Sequence, residues 1–384
     1  MAKRRRKIRF GVIGAAGVIG KTHVQAVLAN KSRAELVAVN DIDVPKVEGM
    51  ASELGVRAYR DYRKLCADPD VDAVMLGTPH PLHPAQALAA IKHGKHVLTE
   101  KAVAGRLSQG RKMVEAARKA RLKIGVCFQH RRAPWVVQAK RMIDRGMLGP
   151  LYRIVCEGSA FKAQRYYASA AWRGTWDGEE GGVLVNQAPH PIDVMVYLGG
   201  MPSRVWAVNR SQKHRIPVED TASALLEYSN GCQGILHWNT TQIPNTSRYE
   251  FYGDRGALIV AEDGMKFYKP EMPISRFIKT YKGSNIYGRP DHVVSVPKLP
   301  KVQGGHVGLV RNFCRAITDG DRLVCSGKEG LGSLELTNAM VLSSYTGSIV
   351  KLPLSERKYD QLVRKLVKAG AKAAHKPNSD PPKR

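Results

Sequence analysis

Along the first third of the chain, short apolar runs alternate with stretches of helical spacing. IRFGVI (8–13), ELVAVN (35–40), DAVMLG (72–77), KHVLTE (95–100) and KIGVCF (123–128) have the length and β-branched content of buried strands. Between them, THVQAVLAN and PAQALAAIKHG carry apolar residues at helical spacing, and Gly94 closes the second as a C-cap. Strands alternating with helices predict a parallel, doubly wound sheet over 8–128. From about residue 150 the rhythm changes. LYRIVCEGSAFKA, RVWAVNRSQ, DTASALLEYS, CQGILHWNTTQ and SRYEFYGDRGALIVAEDG read as strands, with turn signals at SNG (229–231) and GDRG (253–256). Consecutive strands joined by short turns predict a large, mostly antiparallel open sheet in an α+β domain over 129–355. Helical segments are expected at 133–145, 189–198, 306–318 and 329–346. The stretch 269–305, rich in Pro, Gly and Lys, is expected to be a long surface loop. Residues 1–7 read as a basic extension, and 356–384 as a basic helix running into a disordered tail over 365–384.

At 384 residues the chain suits two domains, and no apolar run approaches the roughly 18 residues of a membrane span. The basic start leads into a strand and a glycine turn instead of an apolar signal core, so a cytoplasmic protein is expected. Six cysteines without a C-x-x-C pair argue for a reducing compartment and against a metal site or disulfide framework. The net charge is +28, of which the two ends carry +11. Such a surface attracts nucleic acid without sequence preference or anionic substrates, and a basic proteome would give the same excess. No interleaved aromatic and basic motif is present, so nucleic acid is not expected as a partner.

GVIGAAGVIGKTH follows the first strand and opens the first helix, the context in which a glycine fingerprint binds a dinucleotide. Gly14, Gly17 and Gly20 permit a tight turn and bring backbone N–H groups against a pyrophosphate. Ala16 stands where a second glycine is usual, and Val18 and Ile19 complete the turn. Asp41, at the end of the second strand, can accept from both adenine-ribose hydroxyls and repel a 2′-phosphate, so NAD is expected over NADP. His190 lies between Pro189 and Pro191, residues tolerated only in a first helical turn. The positive end of that helix disfavours imidazolium and leaves a ring able to take a proton. Lys101 lies just past the fifth strand, on the ligand-binding edge of such a sheet. His237, His292 and His306 have no comparable context and are read as structural.

Three further stretches resemble one family. TPHPLHPAQALAAIKHGKHVLTEKAVAG (78–105), WRGTWDGEEGGVLVNQAPHPID (172–193) and SGKEGLGSLELTNAMVLSSYTGSIVKLPL (326–354) look like motifs of the glucose–fructose oxidoreductase, inositol dehydrogenase and rhizopine catabolism (Gfo/Idh/MocA) family. With the glycine turn, the resemblance covers residues 8–355. It implies a Rossmann domain, then a sheet domain through which homodimers or homotetramers form. The implied chemistry is NAD(P)-dependent oxidation of a sugar, polyol or sugar-derivative hydroxyl. Lys101 matches the lysine of the E-K-P motif, His190 the catalytic histidine, and Asn186 a position usually held by aspartate. Ala102 replaces the motif proline; a cis bond before it would cost about 2.5–4 kcal/mol, so this peptide is expected trans, or else strained.

Further roles follow from placement. Thr78, His83, Glu100, Gln129 and Arg173 are expected along the cofactor, with Arg131 a further partner of nicotinamide or substrate. Tyr166, Tyr167, Trp172, Asn186 and Gln187 are expected around the substrate, and Asp193 is read as structural. Two rival readings remain: redox-assisted glycoside cleavage with tightly held NAD, and a ligand- or nucleic-acid-binding homologue that has lost catalysis. A cofactor that turns over in solution excludes the first; steep salt-dependent DNA binding alongside no NAD binding favours the second.

Overall fold

The computed structural model describes residues 6–370, so most of the basic start and residues 371–384 lie outside the described residues; the disordered tail expected over 365–384 is corrected at its start, since residues 365–369 continue a helix. The chain forms two compact units, one running through Ala133 and including Val302–Leu334, the other made of Pro134–Lys301 and the chain from Glu335. Among the described residues no helix is long and apolar enough to cross a membrane.

The first unit follows the alternating pattern: β1 (Ile8–Ile13), α1 (Val18–Leu28), β2 (Ala34–Asn40), α2 (Val44–Leu54), β3 (Arg57–Tyr59), α3 (Tyr62–Ala67), β4 (Ala73–Leu76), α4 (His83–Lys92), β5 (His96–Thr99), α5 (Leu107–Lys119) and β6 (Ile124–Val126). Its strands pair in parallel in the order β3-β2-β1-β4-β5-β6. The order reverses between β1 and β4, and such sheets bind ligands at the carboxyl edge beside that switch. The glycine turn, Asp41, Thr78, Lys101 and Gln129 all follow strand ends on this edge.

The second unit comprises α6 (Pro134–Asp144), β7 (Leu151–Ser159), α7 (Gln164–Ala168), α8 (Val183–Asn186), α9 (Pro189–Gly199), β8 (Arg204–Arg210), β9 (Thr221–Glu227), β10 (Gln233–Asn239), β11 (Ser247–Gly253), β12 (Gly256–Ala261), β13 (Gly264–Pro270), α10 (Ile274–Thr280) and β14 (His292–Ser295). Then α11 (Gly305–Thr318) lies in the first unit, α12 (Gly327–Thr346) runs out of it, and β15 (Val350–Lys351) and α13 (Glu356–Ala369) close the second. The nine-stranded sheet has the order β14-β13-β12-β11-β7-β10-β9-β8-β15 and is antiparallel except where β10 pairs with β7. Alternation gives it one buried face, with Val205, Ala207, Ala224, Leu226, Leu236 and Phe251, and α9 packs on β7.

Three expectations are corrected here. The stretch 269–305 is not one loop: it contains the end of β13, the helix α10, and β14 paired with β13. Residues 302–334 belong to the first unit, because Leu309, Val310, Phe313 and Cys314 on one face of α11 enter the core around Phe10, Val24 and Leu36. Asn30 adds a 3.0 Å hydrogen bond to the Val307 carbonyl. The Lys101–Ala102 peptide is cis, with the Ala102 carbonyl 2.9 Å from His83 Nδ1.

Candidate active site

The glycine turn is built by close approach. Gly14 has φ +79°, and a Cβ on it would press the Gly77–Thr78 backbone; a Cβ on Gly20 would lie 1.9 Å from the Gly14 carbonyl oxygen. Gly17 differs, since a Cβ there would meet only Gly14 O, at 3.6 Å. It is the exposed N-cap of α1 and supplies no side-chain cap, so the first N–H groups of the helix face outward, as an anion site requires. The Asp41 carboxylate is fixed from both sides, accepting from Ala16 N–H at 2.8 Å and Asp43 N–H at 3.0 Å. Val18 and Ile42 beside the turn are 91% and 95% exposed, apolar surface with no protein cover. Ile19 is half-buried behind them. At the other end of the edge, Gln129 Oε1 is buried without a hydrogen-bond partner, an acceptor that a ligand can satisfy. These features fit a dinucleotide: Gly17 and Ala16 at the pyrophosphate, Asp41 at the ribose.

Glu100, the residue after β5, is 4% exposed and bound by several donors. His23 Nε2 and His306 Nε2 reach its Oε1 at 2.9 and 2.8 Å, and Lys101 N–H donates to Oε2 at 3.2 Å. Burial alone would push this carboxyl up; the two histidine hydrogen bonds hold it well below the usual carboxylate range. The Cys127 thiol is close by, and burial together with the Glu100 charge raises it. Donor atoms of His23, Glu100, Cys127 and His306 lie within 4.8 Å of one another. The tautomers favour a hydrogen-bonded cluster over a metal site. With Nε2–H donated to Glu100, the buried Nδ1 of His23 is a bare acceptor against Gly77; metal on Nε2 would move the proton there with nothing to receive it. His306, read as structural, is a hydrogen-bond partner of Glu100, the residue preceding Lys101.

Several expected cofactor contacts are turned inward. His83 is fully buried, its ring nitrogens 2.9 Å from the Ala102 and Thr78 carbonyls. Burial lowers its pKa against the pull of those carbonyls, so the neutral ring donates to one of them. It braces the chain on both sides of α4 and has no nitrogen to offer a cofactor. The Thr78 hydroxyl donates to Gln86 at 2.6 Å. Arg131 is 4% exposed and donates to the Val324 carbonyl at 3.2 Å, tying the returning segment to the first unit.

In the second unit the turn before α8 brings a polar cluster together. Gly182 must be glycine, because a Cβ would lie 1.9 Å from the Glu219 carbonyl oxygen, and Glu180 before it has φ +55°. Glu219 Oε1 accepts from Gly182 and Leu184 N–H at 3.0 and 3.1 Å and so caps α8. Burial, aided by the charge of Glu179, pushes the Glu219 carboxyl up to about 7 against these donors. Tyr166 Oη is the hub: Arg173 Nη1, Asn186 Nδ2 and Gln187 Nε2 donate to it at 2.7, 3.1 and 3.3 Å. The Arg173 guanidinium lies over the rings of Tyr166 and Trp172, 4.5 and 4.4 Å from their centroids. Gln187 Oε1 is buried without a partner. His190 opens α9 as expected, in its first turn between the two prolines, and is 9% exposed; Asp193 in the same helix is fully buried. Tyr167, expected at the substrate, is instead 5% exposed, with its hydroxyl 3.0 Å from Thr240 Oγ1. Its neighbour Tyr166 occupies the cluster.

Sequence reading missed Glu179, His23, His306 and Glu219. The acid pair before the double glycine in EEGG was the one local signal for Glu179; the others are paired only by the fold.

An α/β unit carrying a dinucleotide turn, joined to a sheet unit with a histidine and amide cluster, defines a nicotinamide-dependent oxidoreductase. Residues 8–128 match the oxidoreductase family, NAD-binding Rossmann fold, and 136–259 the GFO/IDH/MocA C-terminal domain. The chain belongs to the Gfo/Idh/MocA oxidoreductase family. It is 30% identical to the WlbA dehydrogenase from Bordetella pertussis, solved with NADH and UDP-GlcNAcA, over 91% of this chain and all of that one, with TM-score 0.78. It is also 30% identical to trans-1,2-dihydrobenzene-1,2-diol dehydrogenase of Sus scrofa, over 62% of this chain and 70% of that protein. The 1,5-anhydro-D-fructose reductase of Ensifer adhaerens is 30% identical over 65% and 75%.

Proposed function

We propose that the protein catalyses reversible NAD-dependent oxidation of a hydroxyl on a sugar, polyol or sugar derivative. NAD, when bound, supplies the hydride acceptor. The observation that carries the reading lies just past β5: a buried Glu100 clamped by two histidines, with Lys101 directly after it on the edge that bears the glycine turn and Asp41. A lysine so placed orients a hydroxyl and stabilises developing alkoxide. His190, at the entry of α9, is assigned as the base that takes the hydroxyl proton. Asn186, Gln187 and Trp172 are assigned to the substrate. Gly14, Ala16, Gly17, Val18, Ile19, Asp41 and Gln129 are assigned to the cofactor, with Thr78 and Arg173 beside it.

Among substrates, an anionic sugar derivative is favoured over a neutral polyol, because the net charge of +28 draws anions and Arg173 crowns the polar cluster. The same class is represented by the UDP-GlcNAcA bound to the Bordetella relative. Six buried cysteines, with no disulfide among the described residues, support a reducing compartment such as the cytoplasm.

The test is NADH absorbance with UDP-GlcNAcA, levoglucosan and inositols as probes. Lys101→Ala and His190→Ala should each lower kcat/KM about 10²–10⁴-fold. Turnover that survives both substitutions would overturn the assignment.

A further inference from the structure

Two cations meet on one aromatic ring of the second unit, and neither is matched by an acid. The Arg173 guanidinium lies over Tyr166 and Trp172 and donates from Nη1 to Tyr166 Oη at 2.7 Å. Lys162 Nζ lies over the same Tyr166 ring, 5.4 Å from its centroid. Among the described residues neither Lys162 nor Arg173 forms an ion pair, and the Lys162 ammonium has no hydrogen bond. Elsewhere in this unit cations are matched, Arg204 by Glu227 at 2.9 Å and Arg248 by Glu250 at 2.5 Å. Glu179, which joins the cluster through Asn186 Nδ2, is 1% exposed and accepts Gly174 N–H at 2.6 Å. Aromatic faces hold cations without neutralising them, so the positive charge here is left for a ligand. Tyr166 uses one of the five N–H groups of Arg173, and a fork of two donors remains for an oxyanion. Lys162 is anchored by its backbone: its N–H donates to the Thr240 carbonyl at 3.0 Å, and its carbonyl accepts from His214 Nε2 at 2.8 Å. Lys162, Tyr166 and Arg173 are all half-buried, where like charges repel more than in water. An anion that touches both removes that repulsion.

We propose that Lys162 and Arg173 form an anion subsite on the Tyr166 ring, and that it holds a carboxylate or phosphate carried by the substrate. Arg173 supplies a bidentate fork whose plane the two rings fix, and Lys162 supplies a point charge beside it. That the anion belongs to a substrate rests on the dehydrogenase reading above; the binding of an anion does not. The cofactor carries the same chemistry in its diphosphate, and measuring each ligand separately tells the two sources apart.

Calorimetry on the NADH-loaded protein compares UDP-GlcNAcA with UDP-GlcNAc, which lacks the carboxylate, and with glucuronate, which lacks the diphosphate. Lys162→Met should weaken UDP-GlcNAcA about fivefold, with NADH affinity within about twofold and Tm within about 3 °C of wild type. Arg173→Lys keeps the charge and loses the fork, and should weaken UDP-GlcNAcA about tenfold; Arg173→Met should weaken it about 30-fold. In both Arg173 variants the loss should exceed any loss of NADH affinity at least about fivefold. A loss shared with glucuronate identifies the carboxylate, and one shared with UDP-GlcNAc identifies the phosphate; either supports the subsite. NADH affinity that falls while UDP-GlcNAcA affinity stays gives Arg173 to the cofactor and overturns the proposal. A Lys162→Met variant that binds all three anions as wild type does also overturns it. If wild type turns over none of the probes named above, the dehydrogenase reading fails on its own. The subsite then stands if wild type binds these anions and both methionine substitutions weaken them, and falls if wild type binds none.

Discussion

To Asp41 we assign the choice between NAD and NADP. Its two oxygens are held by Ala16 and Asp43 N–H, so the carboxylate cannot swing away from a ligand lying on the glycine turn. Each oxygen keeps a second lone pair for a ribose hydroxyl, and the fixed charge opposes a 2′-phosphate. Ile42, next in the chain, offers no cation to accommodate one. Asp41→Ala should weaken NADH binding at least tenfold, the order expected for losing about 1.5–3 kcal/mol of charged hydrogen bonding. It should weaken NADPH binding much less. Titration of both cofactors by fluorescence checks this, and a preference left unchanged would refute the role of Asp41. The placement of such candidates is legible from sequence because their context is local: Asp41 by its spacing from the turn, Lys101 by a strand end, His190 by two prolines. Glu179 is not, because its meaning depends on a fold-back through Glu180 at φ +55° that brings Gly182 against the Glu219 backbone. Nor could sequence choose between Tyr166 and Tyr167, since the partner that buries Tyr167 is Thr240, 73 residues further on.

At the scale of elements, the short helix α8 hangs on one buried acid. Glu219, two residues before β9, caps α8 through its side chain and carries a pKa pushed up to about 7 from an ordinary 4.5. Because the folded value is the higher one, the folded state holds the proton more tightly between those two pH values. The contribution of Glu219 to stability is therefore complete below about pH 4.5, falls as pH rises to about 7, and is flat beyond. Glu219→Gln keeps an oxygen for both N–H groups and removes the buried charge. The variant should match wild type in Tm near pH 5 and exceed it at pH 8, by roughly 1–3 kcal/mol of stability. Thermal melts across that range decide it; a difference independent of pH would show that the carboxyl is not held up. Elements were the best-read level of the fold. Strand and helix periods placed β1, β2, β4, β5 and β6 and all four long helical segments within a few residues. Period does not tell which core a helix enters. The apolar stripe of α11 announced a helix, but only the fold shows it completing the first unit beside Phe10, 6.3 Å between ring centroids at Phe313.

At the scale of the whole molecule, the nine-stranded sheet leaves one face without protein cover among the described residues. Trp206, Leu225 and Ile235 lie directly opposite one another on β8, β9 and β10, exposed by 44%, 55% and 39%. Beside this row Arg204 pairs with Glu227 at 2.9 Å, and Ile349 is half exposed. An aromatic and two branched aliphatics in a row, rimmed by a charge pair, have the make-up of an association surface. We infer that the chain forms homodimers or homotetramers through this face. The net charge opposes the apolar row: two copies at +28 repel one another, and salt weakens that repulsion without weakening apolar burial. Association should therefore tighten as salt rises, the reverse of a complex held by opposite charges. Light scattering at micromolar protein should give a larger oligomeric fraction in about 0.5 M than in about 0.05 M salt, conditions of one short and one long Debye length. Leu225→Lys puts an ammonium in the middle of the row and should give monomers at both salt concentrations, with NADH binding retained because the glycine turn, Asp41 and Gln129 lie in the other unit. A wild-type protein that stays monomeric in high salt would remove the sheet face as an interface. A Leu225→Lys variant that still assembles would place the contact elsewhere on the surface.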